Sequence, residues 1–139
     1  MVKEIGLRTE LSEAVTSHIE PEILLPSVLD ILIDGFKADG GAIYFKDRES
    51  DRIIVKATKG IDPSYMQRFR IIEMGSHVTG KVAQSGKALL VQDSISDVRA
   101  TKDVVKMIHY RSAMAAPVTS KDEVVGIIAL IDAEPGAFD

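Results

Sequence analysis

The chain has 139 residues, enough for one domain, and its 45% apolar and 27% charged residues are the usage of an ordinary globular protein. A net charge of −4, a pI near 5.4 and the lack of any Lys/Arg block leave no electrostatic reason to seek nucleic-acid phosphates or anionic lipid. The absence of cysteine removes disulfides, thiolate metal sites, thioether cofactor attachment and Cys nucleophiles together, and fits a reducing, cytoplasmic setting. Trp is absent and aromatics are 5%, which argues against base-stacking platforms. No apolar run approaches the roughly 18 residues needed to span a bilayer, and the N-terminus is too charged for a signal-peptide core.

Residues 3–19 read as an amphipathic helix, with Leu7, Leu11, Ala14 and Val15 on one face and Arg8, Glu10, Ser12 and Glu13 opposite. Two roles stay open for it: packing on its own domain, or a seam against a second subunit. A second helix follows, with Pro21 suited to its first position and Leu25, Val28, Leu32 and Phe36 at helical spacing. Pro26 predicts a kink or a late start there, and Asp39-Gly40-Gly41 a stop.

The period then shortens to that of strands. Residues 42–45 and 53–58, joined by a charged turn, predict an antiparallel hairpin. Asp62 is suited to cap a short helix over 63–68. Residues 75–85 predict a helix closed by Gly86, residues 88–91 a third strand, and 93–98 a polar loop. A helix over 101–107 has Thr101 as its expected cap. Residues 112–118 predict a strand broken near its end by Pro117. Residues 124–131, the most apolar run, predict a central strand covered on both faces. Leading helices, a hairpin, helical loops and a closing hairpin make an α+β order with an antiparallel sheet, not an alternating βαβ fold.

Three stretches, in order and spacing, resemble the GAF domain family. Gly40-Gly41-Ala42-Ile43-Tyr44-Phe45 resembles the start of its first strand. Residues 75–93, with Gly75, Gly80, Val82, Ala83, Ser85, Gly86, Val91 and Asp93, resemble its signature G-x-x-G-x-V-(A)-x-(S/T)-G-x-P-x-x-(V/I)-x-D. Arg111-Ser112-Ala113-Met114-Ala115-Ala116-Pro117-Val118 and the later Val125-Gly126-Ile127-Ile128-Ala129-Leu130 resemble its closing hairpin. The resemblance runs over residues 20–138. It implies a central antiparallel β-sheet of five to six strands in a GAF/PAS-like arrangement. N-terminal helices are expected on one face and connecting helices over a small-molecule pocket on the other. It also implies a division into a signalling or dimerisation helix, 1–19, and a GAF-like domain, 20–139, cut where the family begins its C-terminal helix.

The departures narrow the reading. Without Cys there is no covalent bilin and no chemistry of the methionine sulfoxide reductase version of the fold. Without Asn the cyclic-nucleotide branch's Asn-Lys pattern is missing. His18, His77 and His109 have no H-x-x-x-H or H-E-x-x-H spacing, so neither metal nor haem is assigned. Asp93 and Asp97 lie in a polar loop that gives an acid/base pair no reason to shift. Ser85 and Ser112 have no nucleophile elbow, and Val82 follows Lys81 where a phosphate loop needs Ser or Thr. No catalytic residue, metal ligand or cofactor is expected.

The expected pocket lies between the sheet and residues 66–72 and 101–108. By resemblance and strand alternation its candidates are Tyr44, Phe69, His77, Val91, Asp93, His109, Ser112 and Met114. Ser112 and Met114 share a strand face with Ala116 and are expected to mark its wall. The ligand is expected to be compact and at most singly charged, with ATP and GTP binding poorly. The resemblance implies a non-catalytic sensing domain of a larger signalling protein, with a sensor histidine kinase first among attached effectors. Ligand or partner binding would bias helix arrangements in a homodimer to which Leu7, Leu11 and Val15 contribute. The alternative is a dimerisation or scaffold domain with a vestigial pocket.

Overall fold

The computed structural model describes residues 21–138. The helix expected over residues 3–19 lies outside them. The described elements run α1 (Pro21–Phe36), β1 (Gly40–Lys46), β2 (Arg52–Lys59), α2 (Pro63–Arg68), β3 (Ile71–Glu73), α3 (His77–Ser85), β4 (Leu89–Val91), α4 (Lys102–Ile108), β5 (Ser112–Ser120) and β6 (Glu123–Asp132). The six strands form one sheet in the order β3-β2-β1-β6-β5-β4, and every neighbouring pair is antiparallel. This is the α+β architecture the resemblance implies.

Strand β6 explains its own composition. It lies between β1 and β5, and successive side chains enter different cores. Ile127 joins Ala42, Tyr44, Ile53 and Val55, whereas Ile128 and Leu130 join Leu25, Leu29 and Leu32 of α1. Helix α1 thus covers one face and α2, α3 and α4 cover the other. Gly126 is a packing glycine: a Cβ there would come within 2.7 Å of the Tyr44 carbonyl oxygen. Gly86 closes α3 in the left-handed conformation at φ 71°, its N–H donating to the Val82 carbonyl. Asp62 accepts from the Ser64 N–H at 2.9 Å and so starts α2, with Pro63 at its first turn.

Two expectations about strands are corrected. Pro117 does not break β5, which continues to Ser120. Strand β4 stops opposite Ala115, so beyond that point β5 is an edge on one side, where a missing N–H breaks no ladder. Residues 66–72 are not one wall: Ile71–Glu73 forms an edge strand that pairs with Arg52, Ile53 and Ile54.

After β6 the chain turns back over the end of β5. The Gly136 N–H donates to the Gln92 carbonyl at 2.8 Å, and Phe138 is buried in the α1 cluster. Among the described residues no helix is long and apolar enough to cross a membrane.

Candidate functional site

Three alanines lie side by side across the middle of the sheet. Ala42 of β1 pairs with Ala129 of β6, which pairs with Ala115 of β5. Methyl groups at three adjacent positions leave the sheet floor low where larger residues would fill it. Above this floor, beneath α2, α3 and α4, is a cavity of about 50 Å³. Ala113, Ile131 and Tyr44 extend its floor; Tyr65, His77, Val78, Thr79, Thr101, Val104 and Ile108 form its roof, with Ile61 and Tyr110 at its sides. No Lys, Arg, Asp or Glu lines it.

The polar groups at the cavity are mostly paired. The Tyr44 and Tyr65 hydroxyls are 2.5 Å apart, and Thr79 also bonds Tyr44. Burial raises the pKa of Tyr44 well above the usual phenol value and raises that of Tyr65. Tyr110 is pushed up to about 12 by burial, with the Asp97 charge adding to it. All three phenols are therefore neutral donors and acceptors at physiological pH.

His77 Nδ1 lies 2.7 Å from Thr101 Oγ1, which ties the start of α3 to the residue preceding α4. Thr101 occupies the expected cap position, yet its hydroxyl makes no capping bond to its own helix. Burial, then the nearby Lys81 charge, lowers the His77 pKa below its ordinary value, so the imidazole is neutral at pH 7. His77 also holds a left-handed backbone, φ 59°, and Phe69 meets its ring edge-on with centroids 5.2 Å apart.

Of the candidates from sequence, Tyr44 and His77 line the cavity. Met114 borders it too, but its side chain belongs to the α1 cluster, so it offers the cavity backbone. Ser112 is on the α1 side of β5 and does not line the cavity. Its Oγ donates to the Glu134 carbonyl at 2.6 Å and accepts from the Ala137 N–H at 3.3 Å. Alternation had grouped Ser112, Met114 and Ala116 correctly, but the cavity takes the opposite set, Ala113 and Ala115. Phe69 is buried in the same cluster as Tyr44, Tyr65 and Ala115, and Val91 in that of Tyr110 and Ala113, but neither lines the cavity.

Asp93 and His109 lie outside it. Asp93 receives a forked pair of bonds from Arg111, Nε at 2.9 Å and a terminal nitrogen at 2.7 Å. These bonds, with the Ile95 N–H, lower its pKa to about 2, which makes it a loop anchor and a poor proton carrier. His109 ends α4 in the left-handed conformation, φ 56°, and borders an open polar groove with Asp62, Asp103 and Lys106. In that groove Arg68 pairs with Asp103 at 3.1 Å and links α2 to α4.

Sequence reasoning missed Tyr65, Thr79, Thr101 and Tyr110 as site residues. Tyrosine in a short helix or before a strand carries a signal that was there to use, because a buried phenol needs a partner for its hydroxyl. Among the described residues no group of three His, Cys, Asp or Glu is placed to hold a metal ion.

A family model described as GAF domain matches residues 18–139. No curated protein matches the chain. Among solved structures, the GAF domain of an Acinetobacter phosphoenolpyruvate-protein phosphotransferase is 18% identical with a TM-score of 0.74, the match covering 99% of this chain and 81% of that one. The A. aeolicus nlh2 GAF domain in an inactive state is 22% identical with a TM-score of 0.68, covering 94% and 80%. Free methionine-R-sulfoxide reductase from Neisseria meningitidis, solved with its substrate, is 17% identical with a TM-score of 0.73, covering 96% and 75%. The fold therefore occurs both in GAF domains of larger proteins and in an enzyme. With its family match over most of its length, its six-stranded antiparallel sheet and its roofed cavity, the chain belongs to the GAF domain family, a small-molecule-binding regulatory fold.

Proposed function

We propose that this GAF domain is a non-catalytic sensor whose small-molecule ligand occupies the cavity over the alanine floor. The observation that carries this reading is the cavity itself, apolar in its walls, free of charged side chains and roofed by three short helices. A ligand there touches α2, α3 and α4 together and so favours one arrangement of those helices over another. The non-catalytic reading is supported by the absence of cysteine and by the engagement of Asp93 with Arg111. In the full reading the domain is cytoplasmic and homodimeric through residues 3–19. It reports to an attached effector, a sensor histidine kinase first among them.

A thermal-shift screen of small metabolites tests the site. A true ligand stabilises by RT ln(1 + [L]/Kd), about 2.7 kcal/mol at a hundredfold excess over Kd. Ala113→Leu and Ala129→Val each fill the hollow from the floor and should abolish the shift. A shift that survives both variants would place the ligand elsewhere. A second reading, a dimerisation scaffold with a vestigial pocket, is favoured by the volume: about 50 Å³ is small beside the roughly 300–1,000 Å³ of drug-sized sites. A screen without hits, on a domain that is nonetheless dimeric, would select it.

A further inference from the structure

Among the described residues, one polar group at the cavity has no hydrogen-bond partner. Tyr44, Tyr65 and Thr79 bond one another, and His77 and Thr101 bond each other. Tyr110 lines the same cavity and is 4% exposed, yet its hydroxyl bonds no described residue. The Tyr110 backbone is well used, its carbonyl accepting from Ser94 Oγ at 2.7 Å, so the residue is held in place while its phenol bonds none of the described residues. An O–H buried without an acceptor is costly, and native proteins rarely leave one. The walls around it add two restrictions. With no charged side chain lining the cavity, an ionic ligand would lose its hydration uncompensated. At about 50 Å³ the space is well below the roughly 150 Å³ of a dry cavity that admits benzene, so a ligand must be compact or push the roof outward.

We propose that the cavity selects a compact, uncharged carbonyl compound, whose oxygen accepts the Tyr110 O–H while its hydrocarbon part rests on Ala42, Ala115 and Ala129. This rests on the sensor reading above and specifies its ligand class. Tyr110 is the selecting residue, because the other hydroxyls are already committed. The elevated pKa of Tyr110, about 12, keeps the phenol protonated and able to donate across the physiological range.

The test uses acetone, isobutene as its near-isosteric hydrocarbon, and trimethylammonium as a cation with the same number of heavy atoms. Binding is followed through the methyl NMR signals of Ala113, Ala115 and Ala129. Acetone should shift these signals saturably, and trimethylammonium should not. Tyr110→Phe should weaken acetone roughly tenfold, the worth of one neutral hydrogen bond in a dry site, and leave isobutene unchanged. The variant should fold and melt no lower than wild type, because it removes a hydroxyl with no bond to a described residue. Unchanged ketone affinity in Tyr110→Phe, an equal loss for the hydrocarbon, or a ketone no tighter than the hydrocarbon would overturn the role of Tyr110 and leave the pocket standing. Tight trimethylammonium binding would overturn the uncharged class. If neither neutral probe moves any of the three methyls in wild type, the sensor reading of this cavity falls with the inference.

Discussion

Gly126→Ala probes a close backbone approach between two central strands of the sheet. A Cβ at this position meets the Tyr44 carbonyl oxygen at 2.7 Å and Cδ1 of Phe45 at 3.5 Å. The Phe45 ring can rotate away. The Tyr44 carbonyl cannot, because β1 is held by ladders to β2 on one side and β6 on the other. Relief requires the β1–β6 pair to part, which is overpacking of a buried sheet and costs about 1–3 kcal/mol. At roughly 4 °C per kcal/mol for a domain of this size, melting should fall by about 4–12 °C. Gly126→Val, with two more methyls, belongs at the upper end. Gly86→Ala is the control: its Cβ meets only Val124 Cγ2 at 3.8 Å, so space is open and the cost is the left-handed backbone, about 1 kcal/mol. Urea denaturation at constant m gives both numbers. If Gly126→Ala is no less stable than Gly86→Ala, the close approach of β6 to β1 is not real and the register argument fails with it.

Two further outcomes follow from the hydrogen bonds. Ser112→Ala removes two of the bonds that hold residues 133–138, those to the Glu134 carbonyl and from the Ala137 N–H. Because Glu134 and Ala137 are exposed and water replaces the lost partner, the cost should be near 1 kcal/mol. The clearer sign is faster proteolysis within residues 133–138, and unchanged proteolysis would show that Ser112 does not hold this segment. Asp93→Asn tests the Arg111 fork. The folded pKa of Asp93, about 2, lies below its ordinary 3.8, so its contribution is present above pH 4 and is lost as pH falls through 2. The variant should be less stable than wild type above pH 4, by an amount that solvent screening of the exposed pair keeps small, and should converge with it as pH falls through 2, giving a correspondingly flatter acid limb. Superimposable acid limbs would mean the fork is absent in solution.

The sequence was most legible where one residue type answers one local demand. Gly86 ends a helix, Asp62 and Pro63 begin one, and the unbroken apolar run of β6 requires cover on both faces. β3 was not legible, because Ile71-Ile72-Glu73 is too short to display alternation. Pro117 was misread because a proline reports a missing N–H without saying whether a neighbouring strand needs it. The phase of β5 shows why the site was half seen. Alternation separates Ser112 and Met114 from Ala113 and Ala115, but it does not say which set meets α1. The hollow arises from three alanines on three strands, a coincidence that only the register of the pairs reveals. Tyr44 and His77 were found because the family signature and its first strand contain them. Tyr110 lies just before the closing hairpin and takes its meaning from what its hydroxyl lacks.

The position of β1 governs how the domain can be born. Its first partner, β2, follows at once, but its second, β6, is the last of the described strands, and the Asp39 carboxylate that receives the Ala133 N–H is 94 positions away. During synthesis the β1–β2 hairpin emerges with Ala42, Ile43 and Tyr44 along an unpaired edge, and nothing native covers that edge until β6 arrives. Contacts of such long range make folding slow, and an apolar edge left open in the interval invites pairing with another nascent chain. Assembly of the sheet is therefore decided late, by the closing hairpin, and the cavity exists only after that hairpin has docked.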